Sequence, residues 1–325
     1  MELIKIMWII FVIFITISLI IFQSTQPFVA SADNVTHVSI NSERLRQHVI
    51  RLTKGFYPRN EGHPDNLAKV ADYLQNEFAQ TSARIERQTY QVNNFDYHNV
   101  IASFGPEKGE RIIVGAHYDT AGALPGADDN ASGVAALIEL ANLLNKTTLH
   151  RRVDLVAYTL EEPPYFRSEY MGSAVHVKML LKQNVQVRMM IALEMIGYFS
   201  DEPGSQSYPL PFMNWYYPTM GNYVAVVGKF FKGSDVRQIK QTMQGASDLP
   251  VYSINAPGLL LGVDFSDHYN FWQAGYNAVM ITDTAFYRNR EYHSPFDTED
   301  RLDYTRMGKV VQSVYAAILQ LTEDE

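Results

Sequence analysis

The sequence predicts an α/β fold in which a mixed, largely parallel central sheet is flanked by helices, an α/β/α sandwich. Short apolar runs of strand type alternate with stretches of helical spacing through most of the chain. Some of these runs, such as Ile112-Ile113-Val114, are apolar on successive residues, the pattern of a strand covered on both faces. The 325 residues, 46% hydrophobic and 19% charged, suit one large domain around a continuous core.

The elements follow in order. Ile6 to Phe22 is apolar apart from Thr16 and Ser18 and follows Lys5, so it reads as a membrane-targeting segment. Ala30-Ser31-Ala32 is an A-x-A pattern suited to signal-peptidase cleavage, so a cleaved signal peptide and a retained anchor are both open. Lys5 orients the remaining chain to the far side of the membrane in either case, which makes the protein extracytoplasmic, anchored or secreted. Residues 1–32 are this segment with its tether, and residues 33–325 are one folded domain. Gln26 to Ser42 is polar and turn-rich and reads as the tether.

Glu43 to Thr53 and Asn66 to Ala79 carry helical spacing of large apolar residues. Asn99 to Phe104, Arg111 to Ala116, Val153 to Thr159 and Val187 to Leu193 read as strands, with helices at Ser132 to Leu144 and Met171 to Leu181. Further strands are expected at Tyr223 to Val227 and Ala278 to Thr282, and a closing helix from Tyr304 to Leu321.

The net charge of −8, with no basic run, argues against a nucleic-acid partner, since phosphate binding needs clustered cations. Cysteine is absent, which removes disulfides and thiolate ligands together, so any metal must be held by His, Asp and Glu.

In open α/β sheets ligands bind beyond the carboxyl ends of the strands, which makes polar residues directly after apolar runs the ones to inspect. One run leads into His117-Tyr118-Asp119, where side chains two apart point the same way and the acid can fix the imidazole tautomer for a metal. Alone, such a pair is more often incidental. Asp128-Asp129-Asn130-Ala131-Ser132-Gly133 leads into a helix; a helix cap explains the start but not the paired carboxylates, one of which has two oxygens to offer two cations. A third run ends in Glu161-Glu162, adjacent acids that face different directions, so that one can bind metal while the other takes a proton from water. Glu194 is embedded in apolar sequence and needs a partner, either a metal or a buried Arg. His268 and His293 stand in polar turns near the end, and the remaining histidines are given no role.

In order and context these elements resemble the M28 family of zinc peptidases, from about Asn99 to the C-terminus and more weakly from Glu43. The resemblance implies a zinc-peptidase-like sandwich, a metallopeptidase activity toward peptides, and two zinc ions per chain. Metal ligands would be His117, Asp129, Glu162, Glu194 and His293, with Asp129 bridging, Asp119 orienting His117, Glu161 as general base and Tyr292 as a hydrogen-bond donor to the oxyanion. It also implies a cis peptide at Asp129-Asn130. Two departures stand out: Glu194 replaces a more usual Asp, and Pro163-Pro164 replaces a glycine-containing turn. The reaction expected is that of an aminopeptidase. Alternatives on the same scaffold are a glutaminyl-cyclase-like enzyme with one zinc and an inactive, peptidase-like binding ectodomain. The segment Tyr198 to Tyr217, rich in aromatics, is expected to wall the substrate pocket, with a preference for apolar N-terminal residues.

Overall fold

The computed structural model describes residues 2–26, 29–33, 35–230 and 232–323. Its helices are α1 (Glu2–Thr25), α2 (Ser42–Ile50), α3 (Pro64–Ala79), α4 (Gly133–Leu144), α5 (Gly172–Lys182), α6 (Gly233–Ala246), α7 (His268–Gln273) and α8 (Tyr304–Glu323). Its strands are β1 (Arg84–Val92), β2 (Phe95–Phe104), β3 (Arg111–His117), β4 (Arg152–Tyr158), β5 (Val187–Glu194), β6 (Val224–Lys229), β7 (Val251–Ala256) and β8 (Ala278–Thr282).

The strands form one sheet in the order β1-β2-β4-β3-β5-β8-β6-β7. The four central strands, β4, β3, β5 and β8, are parallel; β2 joins β4 and β6 joins β8 in antiparallel fashion. This is the mixed, largely parallel sheet that the sequence predicts. After β3 the chain moves through α4 to β4 on one side, then returns through α5 to β5 on the other. The crevice at which the order reverses therefore lies over the carboxyl ends of β3 and β5.

Alternation along β3 divides the core into two layers. Ile112, Val114 and Ala116 face a large apolar cluster with α2, α3, α4, α6 and α8, whereas Ile113 faces a smaller one with α5 and α7. Two apolar faces explain why β3, β5 and β8 carry runs that are apolar on successive residues.

Each predicted helix and strand is present, with ends displaced by a few residues. Asn41 caps α2, accepting from the backbone N–H groups of Glu43 and Arg44 at 3.0 and 3.1 Å. Sequence reading passes over β1, β7, α6 and α7. β1 is a solvent-facing edge whose exposure alternates and whose composition is polar, and α7 and β7 are six residues each, too short for periodicity to declare itself. The tether is laid along α6: the Ala32 N–H donates to the Gln241 carbonyl at 3.0 Å, and His37 Nδ1 lies 3.0 Å from the Ala246 carbonyl oxygen. Pro27, Phe28 and Asn34 of that stretch lie outside the described residues.

Candidate metal centre

His117 is the last residue of β3, Glu161 and Glu162 follow β4, and Glu194 ends β5. Three neighbouring parallel strands thus deliver their terminal polar residues to one crevice. Asp129 reaches it from the turn before α4, and His293 from the loop between β8 and α8. All five residues expected to hold metal converge there.

Asp129 is the centre of the arrangement. Its Oδ1 lies 3.3 Å from His117 Nε2 and its Oδ2 lies 3.1 Å from His293 Nε2. Around His117 Nε2, Glu194 Oε2 stands at 3.4 Å and Glu161 Oε2 at 3.9 Å. Around His293 Nε2, Glu162 Oε2 stands at 3.2 Å. The donor atoms of His117, Asp129 and Glu194 lie within 4.8 Å of one another, as do those of Asp129, Glu162 and His293. Buried His117 Nε2 and Glu162 Oε1 have no hydrogen-bond partner. Buried polar atoms without partners are unusual, and two of them, imidazole nitrogen and carboxylate oxygen, aimed into one acidic crevice fit a divalent cation.

The electrostatics point the same way. Burial and the charge of Asp129 push Glu162 up to about 7 against the pull of His293. Burial raises Glu161 well above the usual carboxylate range, with Glu162 and Glu194 adding to it and His117 opposing. Burial also raises Glu194. Although burial disfavours its charged form, His117 is held well above the ordinary imidazole value by Glu194, Asp119 and Asp129. Burial disfavours the charge of Asp129, but His117 and His293 on either side outweigh it and hold the group below its ordinary value. Carboxylates crowded and buried until their affinity for protons rises are what a site built to hold positive charge requires.

Supporting contacts fix these side chains. Asp119 accepts the N–H groups of Glu161 at 3.2 Å and Glu162 at 3.1 Å, one on each carboxylate oxygen. His117 Nδ1 finds its nearer acceptor in the main-chain oxygen of Asp119 at 3.2 Å, with Oδ1 at 3.6 Å. The sequence reading gave Asp119 one task; its carboxylate mainly holds the Glu161-Glu162 loop, and its carbonyl holds the imidazole. The Asp129-Asn130 peptide is cis, as the resemblance implies, and Asn130 Nδ2 donates to the Leu193 carbonyl at 2.8 Å.

Several members escape sequence reasoning. Ser266 Oγ donates to Glu194 Oε2 at 2.7 Å, from the same polar turn as His268. His268 itself is buried elsewhere, against Trp272 and the Val263 carbonyl. Asp297 accepts the N–H groups of Asp128 and Asp129 at 3.1 to 3.2 Å. Fully buried Arg59 donates to the carbonyls of Tyr118, Pro125 and Gly126, which clamps the approach to Asp129. Only the turn composition around Ser266 offered a signal.

Beside Glu194 and Tyr292 opens an apolar pocket lined by Tyr208, Met213, Tyr217, Val227, Met280 and Phe286. Part of the expected aromatic wall is therefore in place. Phe199 instead packs under Arg288, and Trp215 is 81% exposed. The Tyr292 ring stacks on that of His293 at 3.8 Å. Burial, followed by the charges of Asp129, Glu162, Glu161 and Glu194, raises its hydroxyl and keeps it protonated.

Comparison with known proteins adds to this geometry. The chain is 48% identical over 298 residues to the uncharacterized protein YfbL of Escherichia coli (strain K12), spanning 89% of this chain and 91% of that one. It is 24% identical over 306 residues to the probable aminopeptidase YDR415C of Saccharomyces cerevisiae, 87% and 74% of the two chains. Among solved structures, BSAP, a zinc aminopeptidase from Bacillus subtilis, superposes with a TM-score of 0.68 at 14% identity, covering 88% of this chain and 96% of that one. A glutaminyl cyclase from Bacteroides thetaiotaomicron superposes with a TM-score of 0.66 at 18% identity, covering 90% and 100%. These two share the fold. The model of peptidase family M28 matches residues 99–318, and the chain belongs to that family of peptide-bond hydrolases.

Proposed function

We propose that this chain is an exported zinc aminopeptidase that uses two metal ions, with residues 33–325 as its one catalytic domain. The observation that carries this reading is Asp129, which turns one carboxylate oxygen toward His117 and the other toward His293. One ion would be held by His117, Asp129 and Glu194, the other by Asp129, Glu162 and His293. Bound zinc supplies Lewis acidity toward the scissile carbonyl and the attacking water.

The chain's own residues do the rest. Glu161 also groups with His117 and Glu162, but it stands farther from His117 Nε2, at 3.9 Å, than Asp129 at 3.3 Å or Glu194 at 3.4 Å, and its raised affinity for protons suits a general base that takes one from water and gives it to the departing amine. Tyr292, held protonated, donates a hydrogen bond to the oxyanion. The apolar pocket beside Glu194 receives the side chain of the N-terminal residue, which favours large apolar residues. The names of two relatives, a probable aminopeptidase and a zinc aminopeptidase, support the choice of peptide end.

The test is Glu161→Gln. It removes a base and no ligand, so turnover of leucine amides should fall about 10²- to 10⁴-fold while zinc content stays at the wild-type value. Full activity in this variant would defeat the mechanism. The cyclase shares the fold, and that alternative makes opposite predictions: one zinc per chain and cyclisation of N-terminal Gln. Equal rates on Leu, Glu and Lys amides would remove the role given to the apolar pocket.

Export rests on α1, whose apolar span Ile4–Thr25 has a mean hydropathy of 2.8. Retention as an anchor is favoured by its last residues, because Thr25 and Gln26 are buried against the domain.

A further inference from the structure

The direction in which α1 leaves the domain is fixed by hydrogen bonds. The Thr25 carbonyl accepts from Ser253 Oγ at 3.2 Å and the Gln23 carbonyl from Asn255 Nδ2 at 3.5 Å, so α1 runs opposite to β7. Gln26 secures the end: its Nε2 donates to the Gly233 carbonyl at 2.7 Å, and its own carbonyl accepts from Lys240 Nζ at 2.8 Å. β7 is parallel to β6, and β6 is antiparallel to β8. Followed outward from Thr25, α1 therefore departs at the end of the sheet remote from His117 and Glu194.

Along this exit Thr16, Leu19 and Ile20 of α1 share a crevice with Phe230 and Gly233. As a helix, the apolar run from Ile6 to Phe22 is about 25 Å long, whereas the hydrocarbon core is about 30 Å thick. If Lys5 marks the near boundary, the far boundary falls close to Thr25, about 8 Å beyond Ile20. Tilting the helix shortens its projected length and deepens the shortfall. Phe230, whose N–H donates to the Ala256 carbonyl one residue past the Asn255–Gln23 bond, then lies close to that far boundary.

The residues there suit such a place. Half-buried Phe230 has exposed Lys229 before it and exposed Lys232 soon after, with Arg237 exposed on the first turns of α6. Arg188, at the start of β5, reaches the same region, donating through Nη2 to Gln238 Oε1 at 3.4 Å. Asp235 is the acid among them, and Arg188 and Lys232 both act on it. Aromatic rings settle at headgroup depth, and lysines extend their ammonium groups into the phosphate layer.

We infer that Lys229, Phe230 and Lys232, with Arg188 and Arg237, seat this end of the domain in the headgroup layer of an anionic bilayer, and that the metal centre consequently opens away from the membrane. The inference rests on retention of α1 as an anchor.

The test uses the full chain, which has no cysteine of its own. Ser234→Cys, exposed at the start of α6, and Asn94→Cys, exposed in the turn between β1 and β2 at the site end, each receive an environment-sensitive fluorophore. The proteins are reconstituted in phosphatidylglycerol–phosphatidylcholine vesicles and quenched with iodide from water or with headgroup spin-labelled lipid. The label at 234 should be quenched several-fold more by the lipid and less by iodide than the label at 94, and adding Lys229→Glu with Lys232→Glu should reduce that difference. Equal iodide quenching at the two positions, in chains that float with the vesicles, overturns the seat and leaves anchorage standing. A chain that fails to float and has lost its first residues by mass overturns both.

Discussion

Replacing Asp119 with Asn alters its carboxylate and leaves its main-chain carbonyl in place. The carboxylate accepts the N–H groups of Glu161 and Glu162, one on each oxygen, at 3.2 and 3.1 Å. A carboxamide has one accepting oxygen, so one buried N–H is left facing an NH₂ group, a loss of about 1–3 kcal/mol. The substitution also removes the negative charge 3.6 Å from His117 Nδ1. Loss of such an outer-shell partner typically weakens metal binding about 10- to 100-fold, or about 1.4–2.7 kcal/mol. Denaturant unfolding of the metal-free protein measures the first loss, and competition with a zinc-binding indicator measures the second. Asp119→Asn with wild-type stability and wild-type zinc affinity would refute the reasoning, because neither the loop nor the imidazole would then depend on this carboxylate.

Ser266→Ala removes the 2.7 Å hydrogen bond to Glu194; a bond to a charged group is worth about 1.5–3 kcal/mol, so zinc titration should show the weaker of two sites lost first, and unchanged binding at both would count against Glu194 as a ligand. His176 and His268 are fully buried, and burial lowers each to about 4 from 6.5. The unfolded chain takes up these protons below pH 6.5 and the folded chain does not until about pH 4, so their contribution is complete above pH 6.5 and is lost as pH falls through 4. Each is worth about 3 kcal/mol, and His176→Gln should flatten the slope of urea midpoint against pH in that window; parallel slopes would exclude the assignment. Leu137, fully buried in α4, should cost about 2–5 kcal/mol when cut to Ala; a loss under about 1 kcal/mol would mean the larger core can collapse onto the gap.

The parts of the centre that could be read from sequence share one property. His117 and Glu194 end apolar strands and Glu162 follows one closely, and a charged residue there is conspicuous because burial makes it costly. His293 and Tyr292 sit in a polar loop with no such contrast, and the family resemblance alone brought them in. Arg59 and Asp297 were beyond reach for a different reason. Their roles are to bond main-chain groups of Pro125 and Gly126, and of Asp128 and Asp129, and such partnerships arise only once distant segments have met. In the fold, β3 and β4 were plain because both faces are apolar, while β1, with its exposed polar alternation, carried a signal that loops also carry.

The placement of Asp129 between His117 and His293 bears on how the centre is filled. Once their protons are displaced, Asp129, Glu161, Glu162 and Glu194 would offer four anionic groups beside two neutral imidazoles, a sum that two dications would cancel and one would leave half uncompensated. Protons and zinc therefore compete for the same carboxylates, and the first ion to arrive displaces some of the protons that oppose the second. Occupancy should climb steeply over a narrow range of free zinc and shift to lower zinc as the medium becomes more alkaline, which would make the enzyme a responder to the supply of metal around it.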